Sequence, residues 1–337
     1  MKKHVNIPIF VPHMGCPHAC VFCNQRTISG HDKPDFTKVR SEIENALKSV
    51  DNEKQEAQIA FFGGSFTGIE RKDMIFLLSV AKEFIDDGRV SSIRISTRPD
   101  YIDEEIIEIL KKYGVKSVEL GIQSCSDRVL GVCERGHDRE TSVKAGRMIV
   151  DAGLELVGQM MIGLPSSSAD DEKETARAIV DMGAKAARIY PTVVFCGTEL
   201  ARMAERGEYT PLSRDDAVER SEGAFEIFVD SGVDVIRIGL QSSEALCAGE
   251  EIACGEYCEA IGEMVISRYF EKRLTEKFDG VCGGDAVIKV NPRRVSNAAG
   301  YHAETKKKLK EKHKLKSLKI IGDAALDEFE IMIKTNV

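Results

Sequence analysis

Several absences narrow the possible classes of protein before any motif is considered. The 337-residue chain contains no tryptophan, and no apolar run in it approaches the ~20 residues that a transmembrane helix requires. We find no N-terminal signal peptide, no low-complexity linker and no repeat at the periods typical of solenoid proteins. These absences argue against a helical membrane protein and a repeat array. We therefore expect a cytoplasmic protein that does not act at a membrane.

The composition is that of a globular, acidic protein with many cysteines. Hydrophobic residues make up 42% of the chain and charged residues 30%, as in ordinary soluble domains. The formal net charge of −8 argues against a surface broadly adapted to nucleic acid, although it allows a local basic patch. Ten cysteines in a chain without a leader indicate a reducing compartment and metal chemistry rather than disulfides.

Apolar stretches rich in β-forming residues alternate with amphipathic, charged stretches, which predicts successive βα units. The predicted strands cover residues 5–11, 58–62, 92–97, 116–122, 154–162 and 186–194, and the predicted helices cover residues 37–49, 71–86, 103–112, 139–152 and 169–183. Six such units require a parallel sheet, either doubly wound or curled into a barrel. The unusual motifs all follow predicted strands, where a barrel builds its active site. We therefore predict an α/β fold, a partial (β/α)6 TIM-like barrel over residues 1–232, with a small α+β C-terminal extension over residues 233–337.

Three cysteines form a dense group directly after the first predicted strand. Cys16, Cys20 and Cys23 have the spacing C-x3-C-x2-C, and thiolates select soft centres such as zinc or an iron–sulfur cluster. A group of three leaves one coordination position open, as a catalytic metal requires. His13 or His18 could supply a fourth ligand, so a structural zinc site remains the alternative to an open-site cluster.

This spacing, with Phe22 directly before the third cysteine, resembles the motif of the radical S-adenosylmethionine (SAM) superfamily. The resemblance implies a [4Fe–4S] cluster held by Cys16, Cys20 and Cys23, with SAM chelating the fourth iron through its amino and carboxylate groups. It also implies that Phe22 shields the cluster and packs near the adenine. Reductive cleavage of SAM would then give a 5′-deoxyadenosyl radical.

The same resemblance assigns SAM contacts to residues at later strand ends. Gly63, Gly64 and Ser65 match a turn whose carbonyls receive the SAM ammonium group, and paired glycines leave their backbone groups open to a ligand. Gln123 and Arg135 fall on positions that bind SAM in related anaerobic porphyrin oxidases. There the glutamine hydrogen-bonds the ribose and the arginine holds the carboxylate, which suits a guanidinium fork.

Three runs narrow the resemblance to the catalytic subunit of the Elongator complex and its prokaryotic relatives. These runs are 96–101 (Ser-Thr-Arg-Pro-Asp-Tyr), 119–124 (Glu-Leu-Gly-Ile-Gln-Ser) and 135–137 (Arg-Gly-His). Ser96 replaces a glutamate of that branch, so it can offer SAM only a shorter, neutral hydrogen bond. Gln159 stands where the porphyrin oxidases often carry an aspartate, and it can still hydrogen-bond the ribose. We expect a radical SAM domain without the acetyltransferase domain of Elongator.

These motifs predict a radical SAM enzyme, with a tRNA or other RNA nucleoside as the substrate hypothesis drawn from the Elongator-like branch. Two alternatives stay open: a small-molecule substrate, as in the porphyrin oxidases, and a non-catalytic zinc- or cluster-binding module. The expected protein partner is a reductant such as ferredoxin or flavodoxin. The stretch Lys306–Lys319 carries eight lysines and could contact RNA phosphates. It has no interleaved aromatic residues to stack bases, so a solvated helix face is the other interpretation.

The remaining cysteines have weaker patterns. Cys247, Cys254 and Cys258 have the spacing C-x6-C-x3-C, which fits either an auxiliary metal centre or buried, inert thiols. Cys125 and Cys133 flank the predicted SAM loop, and we interpret both as structural.

Overall fold

The computed structural model describes residues 3–11, 20–23, 36–51, 53–242 and 244–336. Seven strands form one parallel sheet in the order β1-β2-β3-β4-β5-β6-β8, curled into a half-barrel. The strands, with the two-residue β7 that lies outside this sheet, are β1 (Lys3–Val11), β2 (Gln55–Gly63), β3 (Ser92–Thr97), β4 (Val115–Gln123), β5 (Glu155–Ile162), β6 (Ala186–Pro191), β7 (Val194–Phe195) and β8 (Asp234–Ile238). The predicted partial barrel is confirmed.

Helices occupy the chain between the strands, and most of them pack against the sheet. They are α1 (Val39–Leu47), α2 (Arg71–Asp86), α3 (Glu104–Lys112), α4 (Asp127–Val132), α5 (Arg139–Asp151), α6 (Ala169–Asp181), α7 (Glu199–Glu205) and α8 (Arg214–Asp230). Local sequence signals explain where several of these helices begin or end. Asp103 caps α3 by accepting a hydrogen bond from the Ile106 amide at 2.8 Å. Gly114 and Gly153 follow α3 and α5 with φ angles of 84° and 79°, a conformation that favours glycine.

The two faces of the half-barrel differ in polarity because strand side chains alternate. One face carries residues such as Ile59, Ile93 and Leu156, which are fully buried in the main hydrophobic core. The other face carries a hydrogen-bonded polar network, formed by Gln58, Arg94, Glu119, Gln159 and Arg188. The interior of a closed TIM barrel is filled with branched apolar residues. The polar interior of this half-barrel is therefore suited to a ligand rather than to packing alone.

The sixth strand is shorter than its apolar run predicts. β6 ends at Pro191, which pairs with Ile162, the last residue of β5; the Thr192 amide donates the last bond between the two strands, to the Ile162 carbonyl at 2.9 Å. The rest of the run forms β7, which pairs antiparallel with β9 (Ile252–Cys254).

The first strand after residue 233, which we assigned to the C-terminal extension, joins the main sheet. β8 pairs in parallel with β6, so the half-barrel has seven parallel strands rather than six. The domain boundary between residues 232 and 233 stays a prediction.

The rest of the chain forms the small α+β extension. Its helices are α9 (Glu244–Ala248), α10 (Ile261–Lys277), α11 (Val295–Ala299) and α12 (Glu304–Lys312). A separate sheet in the order β11-β10-β12 consists of β10 (Asp285–Val290), β11 (Ser317–Gly322) and β12 (Ile331–Asn336). Among the residues that the structure describes, no helix combines the length and apolar character needed to cross a bilayer.

Candidate active site

A cavity of about 120 Å³ lies where strands β2 to β5 end, beside the segment 20–23. All eight predicted SAM-binding residues line it, together with two of the three predicted cluster ligands; the third, Cys16, lies outside the described residues. The lining consists of Cys20, Phe22, Cys23, Gly63, Gly64, Ser65, Ser96, Thr97, Arg98, Gly121, Gln123, Arg135 and Gln159. The fold thus brings the predicted residues to one place, whereas their roles stay predictions.

Backbone hydrogen bonds fix the segment that carries Cys20 and Cys23. The Cys23 amide donates to the Cys20 carbonyl at 2.9 Å, which closes a tight turn. Between them, the Val21 amide donates to the Cys133 carbonyl at 3.2 Å, and the Val21 carbonyl accepts from the Leu200 amide at 2.7 Å. The two cysteines are therefore held by contacts to two distant parts of the chain.

Two buried arginines converge on the Cys20 sulfur. Arg98 and Arg135 are 2% and 7% exposed, and their Nη1 atoms lie 3.8 Å and 3.5 Å from Cys20 Sγ. Arg98 is held by a bidentate pair with Asp100, at 2.9 Å and 3.0 Å. Arg135 donates from Nη2 to the Gly121 carbonyl at 2.6 Å. The sulfur of this predicted cluster ligand thus faces two fixed, positively charged guanidinium groups.

His137 supports Arg135 from the side away from Cys20. Its Nε2 accepts a hydrogen bond from Arg135 Nε at 3.2 Å, so the proton of the neutral ring is on Nδ1, which lies 3.2 Å from Ser142 Oγ. Burial and the neighbouring guanidinium of Arg135 lower the pKa of His137 to about 4. The imidazole is therefore neutral at physiological pH and acts as an acceptor for Arg135.

The glycine turn after β2 lies directly against the end of β1. Gly63 has a φ angle of 114°, and a Cβ built on it would collide with the Val11 carbonyl oxygen and lie 2.9 Å from the Phe10 ring. That carbonyl accepts a hydrogen bond from the Gly64 amide at 2.9 Å. Glycine is therefore required at residue 63 for this close approach of the two strand ends.

Gln123 ends β4 in an unusual backbone conformation. Its φ angle is 67°, and the pairing register between β4 and β5 shifts between Gly121 and Gln123. Its side-chain Oε1 is buried, with no hydrogen-bond partner within the described parts of the chain. A strained residue with an unsatisfied buried acceptor at a cavity wall is a feature typical of a ligand site.

Glu119 organises the polar interior next to the cavity. Its side chain is fully buried, and its Oε1 accepts from Arg94 Nη1 at 2.9 Å and from Arg188 Nη2 at 2.8 Å. Its Oε2 accepts from Gln159 Nε2 at 2.8 Å. This contact fixes the orientation of the Gln159 amide, because a carboxylate can only accept. Ser96 pairs in register with Glu119 and lies on the same wall.

Sequence reasoning did not assign Arg98 to the site, and it missed Arg94 and Arg188. A signal was present for the last two, because each is a charged residue inside an otherwise apolar strand. A charge in such a place requires a buried partner or a ligand.

The remaining predicted cysteines do not form a second centre in the described parts of the chain. Burial raises the pKa of both Cys125 and Cys133 to about 12, which supports their structural interpretation. Cys247 is exposed, and Cys254 and Cys258 are half-buried. Over the described ranges, no three His, Cys, Asp or Glu side chains lie together as a metal site requires.

The lysine-rich stretch forms α12 and the entry to β11. Lys308 pairs with Glu271 on α10 at 2.8 Å, and most of the other lysines are exposed to solvent. One face of α12 is anchored by Thr305 and Leu309, which are buried. The lysines therefore form a solvated surface on an anchored helix.

Comparison with protein families decides the class of this site. The profile of the radical SAM superfamily matches residues 10–179, about half of the chain. The chain belongs to the radical SAM superfamily. A second profile, that of the Radical_SAM C-terminal domain, matches residues 184–271. The prediction of a radical SAM enzyme is confirmed at the level of the superfamily.

Several relatives of this radical SAM protein belong to the Elongator-like branch. The tRNA uridine(34) acetyltransferase of Methanocaldococcus infernus is 28% identical over 245 residues, which are 60% of this chain and 46% of the relative. Elongator complex protein 3 of Saccharomyces cerevisiae is 25% identical over 253 residues, 62% of this chain and 45% of the relative. The structure of the archaeal M. infernus Elp3 with an N-terminal deletion aligns with a TM-score of 0.63 and 25% identity, over 81% of this chain and 64% of that one. The chain thus spans about half the length of these curated relatives.

Proposed function

We propose that this protein binds a [4Fe–4S] cluster through Cys16, Cys20 and Cys23 and binds SAM in the adjoining cavity. The observation that carries the proposal is the convergence of every predicted SAM contact with two of these cysteines on one cavity. Members of the superfamily use this cluster together with SAM. When bound, the pair supplies a one-electron cleavage of the SAM C5′–S bond to methionine and a 5′-deoxyadenosyl radical, which takes hydrogen from the substrate.

The residues present fit these two groups. Soft thiols suit iron, and the two buried guanidiniums beside Cys20 compensate its negative charge. The orphaned Oε1 of Gln123 would accept a hydrogen bond from a ribose hydroxyl. Gln159, with its amide nitrogen committed to Glu119, presents its oxygen as a second acceptor for the same diol. Both amides are therefore acceptors, which is what a pair of hydroxyl donors requires.

The other cavity residues would position the rest of SAM. The turn of Gly63, Gly64 and Ser65 would receive the ammonium group on its backbone carbonyls, since no side chain at residue 63 intervenes. Arg135 would bind the carboxylate with its fork, and Ser96 would add a neutral hydrogen bond. Phe22 would cover the cluster and the adenine. Holding SAM by several points in this way orients its C5′–S bond and limits access of water.

The substrate that we propose is an RNA nucleoside, in line with the Elongator-like relatives. Support comes from the name of the M. infernus relative, which acts on tRNA uridine, and from the exposed lysines of Lys306–Lys319. Phosphates bind such lysines with an affinity that falls as salt rises. A small reductant of the ferredoxin or flavodoxin type would supply the electron. The compartment that we propose is the cytoplasm, because a reducing environment keeps cysteine thiols available to bind a metal.

The cluster is tested on protein purified and reconstituted without oxygen. We expect about four irons per chain, and 5′-deoxyadenosine formed from SAM and dithionite. A Cys16/Cys20/Cys23→Ala variant should lose both, whereas a matched Cys247/Cys254/Cys258→Ala variant should keep both. Zinc in place of iron would instead indicate a binding module. Equal nucleoside formation by the first variant would also contradict the proposal.

RNA contact is tested separately, by binding of unmodified tRNA at several salt concentrations. Changing Lys307, Lys310 and Lys312 to Gln should weaken binding and reduce the slope of log affinity against log salt. The matched control changes three exposed lysines at the opposite end of the sheet from the cavity, namely Lys111 and Lys112 at the end of α3 and Lys116 at the start of β4. Equal effects of the two variants would leave a small-molecule substrate as the better proposal.

A further inference from the structure

Arg98 and Arg135 reach Cys20 from different parts of the chain, and neither contact follows from the predicted SAM site. Arg98 follows β3 and Arg135 follows α4, yet their Nη1 atoms lie 3.8 Å and 3.5 Å from the same sulfur. Both side chains are more than nine-tenths buried. In a buried site the local dielectric constant is low. The electrostatic attraction between an N–H group and the thiolate sulfur at which it points is therefore strong.

The orientation of Arg98 does not depend on Cys20. Its Nε and Nη2 atoms are bound by the two Asp100 oxygens, and Nη2 also donates to the Arg135 carbonyl at 2.5 Å. These contacts fix the plane of the guanidinium and direct Nη1 at Cys20. Asp100 is 21% exposed, whereas Arg98 is 3% exposed at the side chain. The negative partner therefore lies nearer to solvent, and the positive group lies nearer to the sulfur.

Arg135 adds a second positive charge that is not offset by a carboxylate among its recorded contacts. Within the described residues, its hydrogen bonds go to the Gly121 carbonyl, to the neutral His137 ring and to Cys20 Sγ. The surroundings of Cys20 are thus net positive. Such surroundings stabilise whichever oxidation state of a metal centre carries more negative charge.

We propose that Arg98, supported by Arg135, raises the reduction potential of the iron–sulfur cluster bound at Cys20. The inference rests on the proposed function, since it requires the cluster. Reduction adds one electron to the cluster from a one-electron donor of low potential, and no proton or bond change accompanies it. Hydrogen bonds to a ligating sulfur and the charge near it are two recognised determinants of cluster potential. Arg98 is thus a positioning residue that acts on the cluster through Cys20 rather than on SAM.

The test is the midpoint potential of the reconstituted cluster, followed by EPR of the reduced form in the absence of SAM. Arg98→Met removes the charge and keeps an apolar stem. We expect the equilibrium constant for one-electron reduction to fall about tenfold, a negative shift of about 59 mV. Asp100→Asn removes the compensating charge, so the potential should move in the opposite direction. If the Arg98–Asp100 ion pair had only a structural role, its loss would shift the midpoint potential in the same direction in both variants.

A surface pair of the same spacing provides the control. Arg89 pairs with Asp87 at 2.7 Å, with both side chains exposed, so Arg89→Met should leave the potential unchanged. An Arg98→Met potential equal to that of the unmutated protein, or shifts of both variants in one direction, would overturn the inference. If Arg98→Met does not retain its cluster, Asp100→Asn decides: a rise in potential supports the inference, and a fall or no change overturns it. Absence of a cluster from the unmutated protein would instead refute the proposed function, which iron analysis detects first.

Discussion

Replacing Gly63 with alanine should affect stability and SAM binding together. The new Cβ would collide with the Val11 carbonyl, which cannot withdraw freely because it accepts the Gly64 amide at 2.9 Å. The φ angle of 114° adds backbone strain for any residue with a Cβ. Strain of about 1–3 kcal/mol and a steric cost of similar size together predict a loss of about 2–6 kcal/mol in the free energy of unfolding.

Gly88 provides a control that separates the two contributions. It follows α2 with a φ angle of 73°, and no atom lies within 4 Å of the place where a Cβ would stand. Gly88→Ala therefore introduces strain without a collision, and we expect a loss of about 1–2 kcal/mol. Both variants are compared by urea unfolding, with the slope against urea checked to be unchanged.

The second measurement is SAM affinity, by calorimetry on the reconstituted protein. Relief of the collision must move the Gly63 turn or the end of β1 against which it packs, and the turn lines the cavity. Gly63→Ala should thus bind SAM at least tenfold more weakly, whereas Gly88→Ala should bind it normally. Equal losses of stability in the two variants, with SAM affinity unchanged, would refute the argument that the close strand contact shapes the cavity.

Three further predictions concern buried ionisable groups. Glu119→Gln leaves two buried guanidiniums facing a neutral amide, so the free energy of unfolding should fall by about 3 kcal/mol; a loss below about 1 kcal/mol would contradict this. With a pKa of about 12, Cys133 should stay unalkylated by iodoacetamide at pH 8 while the exposed Cys196 reacts. Alkylation of the native protein is followed by mass spectrometry, and equal rates at the two cysteines would contradict the prediction. The pKa of His137 is lowered to about 4, so the unfolded state binds more protons between about pH 6.5 and pH 4. The urea midpoint should fall over that range as the pH is lowered, and His137→Gln, which can still accept from Arg135, should reduce the fall; identical pH profiles would exclude the mechanism.

The main elements could be predicted because each carries its own local signal. The strand of residues 92–97 and the helix of residues 71–86 have the predicted bounds, since the apolar periodicity of each is clear and Gly88 follows the helix. β6 was predicted too long, because the apolar run continues to Val194 while β5, its partner in the sheet, already ends at Ile162. The end of β6 therefore depends on a neighbouring strand, and no local pattern in the sequence indicates it.

The site could be predicted in its members but not in its interactions. Glycine turns and cysteine spacing are visible along the chain, so most of the lining residues were predicted from motifs, although Thr97, Arg98 and Gly121 were not. The ring of contacts around Glu119 was not, because Arg94 and Arg188 come from different strands and meet only when the sheet curls. The approach of Arg98 to Cys20 has the same origin. Which buried charged side chains pair with one another is therefore determined by the folded half-barrel and not by any single segment of the sequence.

The hydrogen bonds of Val21 have a consequence for when the proposed cluster could be inserted. The turn that bears Cys20 and Cys23 is synthesised before Cys133 and Leu200, whose backbone groups hold it. During synthesis the turn therefore cannot form both of these hydrogen bonds until α7 has been made and has docked, because N-terminal segments emerge first. The thiols acquire their final spacing late, after most of the half-barrel exists. Under the proposed function, a folded scaffold rather than a nascent loop would therefore receive the iron.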